Sequence, residues 1–116
     1  MIGAALLLFS AALRLAPGTN DPDVEAMRAT GRAMDTWKVC AATNTRRYAL
    51  STNEPAQTVV EAAIGECSSE YQAVRLALFR WGFSPAEADA QMRGLVDHTR
   101  PLLTAGVLRL RSARRH

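Results

Sequence analysis

Two cysteines, two histidines, one Asp-His dipeptide and four methionines are the residues of this sequence with chemistry to offer. Cys40 and Cys67 permit one disulfide, or are a chance pair of thiols. Asp97-His98, with Arg100 close by, is the one place where an ionisable pair suggests acid–base work. Neighbouring residues on a helix do not face each other, so these two cannot form a hydrogen-bonded dyad. A small hydrolase would need a polar cleft gathered around Asp97, His98 and Arg100. His98, three positions before Pro101, reads instead as a surface or helix-end residue. No Gly-x-Ser-x-Gly elbow, phosphate-cradling glycine loop or His-x-x-x-His pair occurs.

Thioethers bind Cu(I), and Met27 and Met34 stand one heptad apart, with Met92 further on. No Met-x-x-Met or His-Met cluster accompanies them, and methionine at heptad spacing is core filler. No catalytic, cofactor-binding or metal-binding residue is therefore assigned. The remaining charged feature is a basic run, Arg109, Arg111, Arg114 and Arg115. The formal charge of +3 belongs to it: without these four and Arg14, nine cations face eleven carboxylates. A basic tail over residues 109–116 can contact anionic lipid headgroups, or it can be a helix end whose cations suit the negative pole of the dipole. No aromatic residue interleaves the arginines, which argues against a single-strand nucleic-acid binder.

These residues need elements to position them, and 116 residues with 48% hydrophobic and 22% charged composition suffice for one globular domain. Asp21 followed by Pro22 marks a helix start, and no proline recurs before Ser51. Pro55 begins a second helix that runs to Trp81, where Gly82 supplies a left-handed stop and Phe83 an apolar residue to fold back. Ser84-Pro85-Ala86-Glu87 is a capping box that opens a third helix, which Pro101 must kink or split. No strand pattern or hairpin turn is visible. Long helices with short connections predict an all-α antiparallel three-helix bundle over residues 17–108.

The cysteine spacing fits that architecture. Val60, Ile64, Cys67, Tyr71, Val74, Leu78 and Trp81 step by four and three along the second helix, a heptad seam. Met27, Met34, Trp37, Ala41 and Tyr48 offer a similar seam on the first. Cys40 lies thirteen positions before Asn53, and Cys67 thirteen after Glu54, so a hairpin folded there sets both at one height. The same register puts Met34 opposite Val74, Trp37 near Tyr71, Met27 near Trp81 and Met92 at the level of Val74. It sets Leu95 and Val96 towards Tyr71, and Leu102 and Leu103 towards Ile64. In an exported protein this predicts a Cys40–Cys67 disulfide; in a reducing cytoplasm the two would be buried thiols.

Export is suggested by Ile2–Leu13, an almost unbroken apolar run too short to span a bilayer. Residues 1–16 read as a signal peptide with cleavage after Ala12 or Ala16, although no Lys or Arg precedes the run. A first bundle helix or a membrane-surface anchor are the alternatives. An apolar leader followed by Trp37-x-x-Cys40, Arg46-Arg47-Tyr48-Ala49, a turn, Ala62-Ala63 and Cys67 resembles small uncharacterised secreted helical proteins of proteobacteria, over residues 34–75. The resemblance implies no activity. The expectation is a non-enzymatic periplasmic or secreted helical module that binds another envelope protein. The runner-up is an envelope-associated protein docking on anionic membrane through its basic tail.

Overall fold

A computed structural model describes residues 21–115; the expected signal peptide, residues 1–16, lies outside the described residues. Four helices are present, α1 (Pro22–Ser51), α2 (Ala56–Gly65), α3 (Ser68–Trp81) and α4 (Pro85–Arg114), and no strand occurs among the described residues. The principal extents are 52 × 29 × 22 Å, an elongated body along which α1 and α4 each run for 30 residues.

Helix ends follow the local chemistry. The Asp21 carboxylate accepts from the Asp23 backbone N–H at 2.8 Å, and Pro22 occupies a first-turn position that needs no donor. Gly82 adopts φ 111°, the left-handed region that a side chain would strain. The Phe83 and Gly82 N–H groups then donate to the carbonyls of Leu78 and Phe79, both at 3.0 Å, which closes α3 in a Schellman ending. At the start of α4 the Ser84 N–H donates to Glu87 at 2.8 Å, and the Glu87 N–H returns to the Ser84 hydroxyl at 3.2 Å.

The seam is buried where the heptad places it. Val60, Cys67, Val74 and Leu78 are buried, and Ile64, Tyr71 and Trp81 are half-buried. Trp37, Ala41, Cys67, Val74, Leu78, Ala88 and Met92 form one core cluster, with Met34, Tyr71, Leu95 and Val96 packed against it. A second cluster joins Ala49, Val59, Val60 and Val107, flanked by Tyr48, Ile64, Leu103 and Leu110. Met27 departs from the expected seam and is 45% exposed, and Leu102 points outward while Leu103 takes the place beside Ile64.

Two predicted features differ. The second helix is not one rod but two, α2 and α3, parted by a turn at Glu66 and Cys67. There the Cys67 N–H shortens its reach to the Ile64 carbonyl, 3.0 Å away. The Ala63 carbonyl is met instead by the Asn44 side-chain amide of α1 at 3.4 Å. Gly65 and Ser68-Ser69 are weak helix formers, so the break falls where propensity resists it least. Pro101, in contrast, does not split α4, which is continuous to Arg114. Asp97 and Pro101 lie on the exposed side, where the carbonyl deprived of its donor can meet water, while buried Thr99 and Val107 hold the helix on either side.

Candidate functional site

The disulfide between Cys40 and Cys67 is present, with Cα atoms 6.0 Å apart. It ties the middle of α1 to the α2–α3 break. The Asn44 amide points at both sulfurs, 3.7 Å from Cys40 and 3.4 Å from Cys67. Glu70 completes a group whose potential ligand atoms lie within 4.8 Å of one another. With the sulfurs bonded to each other, no thiolate remains there to hold a cation or attack a substrate.

The structure does not bring Asp97 and His98 together. Asp97 accepts from Arg100 at 3.0 Å, and Arg100 also forks onto Glu61 of α2. The Glu61 hydrogen bond, followed by its charge and the contact with Asp97, holds the Arg100 guanidinium above its ordinary range. His98 stands exposed on another side of α4, beside a shallow groove lined by Met34, Gln91, Gly94 and Leu95. Met34 and Met92 belong to the main core, whereas Met27 is exposed, so the three methionines do not converge.

The basic run is not a tail. Residues 109–114 continue α4, and two of the arginines reach across to α1 and the loop after it. Arg111 donates to the carbonyls of Ala49 at 3.2 Å, Thr52 at 3.0 Å and Glu54 at 2.5 Å. Arg114 donates to the Leu50 carbonyl at 2.9 Å. These are the orphan acceptors at the C-terminal end of α1 and in the loop after it. The last turn of α1 carries no basic residue of its own, so α4 supplies the cations that its dipole favours. In the sequence the four arginines look alike, because charge alone does not show which ones find carbonyls. Arg109, Arg114 and Arg115 are exposed, and Arg111 is half-buried.

A concavity with a volume of about 550 Å³ lies between α2 and α4. Gln57, Glu61 and Arg100 form its polar edge, and Pro101, Ala105 and Leu108 its apolar wall. Leu108 is 58% exposed, an apolar side chain facing solvent. Glu61–Arg100 spans the groove as an ion pair between the two helices. A groove with an apolar wall and a fixed charge pair can take a short segment of chain, gripping it by shape and by one or two polar contacts. Nothing in the sequence pattern announced it, because it depends on how α2 sits against α4. No family model matches the chain, and no curated protein or solved structure matches it either. Among the described residues no helix is long and apolar enough to cross a membrane.

Proposed function

We propose that the protein is a non-enzymatic binding or adaptor module of the periplasm or the secreted fraction. In this reading a segment of another envelope protein seats in the α2–α4 groove. The observation that carries it is the groove itself, apolar on its α4 wall and held open on a framework that a disulfide braces. A disulfide-bonded pair persists in an oxidising compartment, which supports export. Rigid walls spare a partner the cost of ordering the site, so a modest groove can still bind selectively.

A photo-crosslinking residue introduced at Leu108, with the same residue at exposed Arg93 as control, tests the reading in the native compartment. A defined adduct from position 108, absent from position 93 and lost in Arg100→Glu, supports it. Identical adducts from both positions, or none from 108, defeat it. Intact mass with alkylation tests export in parallel: a mature chain that takes up alkylating reagent on both cysteines without prior reduction contradicts the oxidising compartment.

A further inference from the structure

We infer that a second face of the molecule, where α1 and α4 run side by side, docks on a bilayer surface that carries anionic headgroups. The inference concerns a different groove from the one proposed for a protein partner, so either can fail alone. Arg46 of α1 and Arg109 of α4 flank a concavity of about 350 Å³ floored by Gly106, Leu110 and Ala113. Among the described residues neither arginine takes part in an ion pair. The carboxylates at this end are committed elsewhere or lie off this face. Glu61 holds Arg100, Glu66 holds Arg47 and the Tyr48 hydroxyl, and Glu54 sits in the loop before α2. On this stripe of α1 the exposed Asp35 stands one turn before Val39 and bounds the face, and no carboxylate occurs in α1 from Thr36 to Ser51 or in α4 from His98 to Arg114.

The cations are interleaved with protruding apolar side chains. Val39, Thr43, Arg46 and Leu50 follow one another at steps of four and three, so they share a stripe of α1, and all four are exposed. Leu102 and Arg109, seven apart, share a stripe of α4 in the same way. Val39 is 65% exposed and Leu102 60%, the two most exposed large hydrophobic residues of the described chain. Arginine beside outward leucine and valine is costly in water and suited to an interface, where headgroup phosphates take the guanidinium and the acyl boundary takes the apolar tip. An acidic peptide would satisfy the arginines and leave Val39 and Leu102 in water. The bilayer accommodates both. Arg111 and Arg114 take no part, since their guanidinium groups are spent on the carbonyls of α1 and its loop.

Vesicle flotation of the full chain tests the inference, comparing phosphatidylcholine vesicles with vesicles to which phosphatidylglycerol is added. The quantity read is the difference between the two, because residues 2–13 would favour both equally. Wild type is expected to prefer the anionic vesicles at low salt and to lose that preference at high salt. Arg46→Gln with Arg109→Gln is expected to reduce the preference by about thirtyfold, the effect of two surface cations. Leu102→Ser is expected to reduce partitioning by about tenfold. Arg80→Gln with Arg93→Gln removes the same charge from exposed sites elsewhere and is expected to leave the preference intact. Equal losses from both pairs would reduce the effect to net charge and overturn the assigned face. No preference for anionic vesicles overturns it as well. So does polyglutamate binding that depends on Arg46 and Arg109 while vesicles go unbound, which would mark the face as a peptide site.

Discussion

Around Trp37 the bundle is closed by large side chains and a covalent bond; around Val60 it is closed by small side chains and by arginines. The first region packs Trp37, Leu78, Met92 and Val74 to essentially zero exposure and ties α1 to the α2–α3 break through Cys40–Cys67. The second has only Ala49, Val59, Val60 and Val107 at its centre. It makes up the difference with directed contacts: Arg111 and Arg114 on carbonyls of α1 and its loop, Glu66 on Arg47 and Tyr48, Glu61 on Arg100. Charge follows the same division. Residues 42–66 and 98–115 hold seven cations and three carboxylates, against six and eight in residues 21–41 and 67–97. Where apolar volume runs short, the chain substitutes hydrogen bonds whose donors are permanently charged, and these are worth more than neutral ones.

The contrast can be broken most severely at the large core. Trp37→Ala should cost about 3–5 kcal/mol, because a fully buried indole leaves a cavity that its neighbours cannot fill. Chemical denaturation would show it, and a loss under 1 kcal/mol would contradict the placement of Trp37. Next comes the disulfide. Cys40→Ser with Cys67→Ser should cost about 3.5 kcal/mol by the loop-entropy relation for a separation of 27 residues. Reduction of the wild type should lower the denaturation midpoint to match.

The arginine-held end should respond less and more locally. Arg111→Met keeps the apolar stem but strips three carbonyls of their donor, at an expected cost of about 2 kcal/mol. Amide exchange should accelerate over residues 49–55 and stay slow around Trp37; uniform acceleration would mean that the two regions unfold as one. The Glu61–Arg100 pair is partly exposed, so a double-mutant cycle should return no more than about 1 kcal/mol.

The smallest effect belongs to the cap of α4. The Ser84 backbone and hydroxyl hydrogen bonds hold the Glu87 carboxyl below its ordinary value of 4.5. The folded state therefore binds this proton less readily than the unfolded chain. The contribution of Glu87 is complete above the unfolded value and fades as pH falls through the folded one. A carboxyl titration by NMR should place Glu87 below an unfolded reference peptide, and Ser84→Ala, which removes the hydroxyl but keeps the larger backbone contribution, should move it only part of the way back.

The large core was legible in the sequence because it depends on periodicity. A four-and-three spacing from Val60 to Trp81 specifies a face, and two cysteines equidistant from one turn specify a height. The capping box and Gly82 were legible because their chemistry is local. The arginine-held end was not, since Arg111 and Arg109 look alike until α4 is laid beside α1. The α2–α3 break escaped for a similar reason. The heptad continues through Cys67 without interruption, while the carbonyl that the break exposes is met by Asn44 from another helix. Both grooves lie between helices, so no single segment encodes either one.

The Arg111 clamp also sets an order of events. Its acceptors lie 57 to 62 positions earlier in the chain. As the chain emerges from synthesis, α1, its loop, α2 and α3 are all present before the guanidinium that seals the end of α1. Until Arg111 arrives, the carbonyls of Ala49, Thr52 and Glu54 lack this donor and are left to water. Completion of the fold is thus timed by α4, and the clamp acts as the latch that closes after everything else is in place.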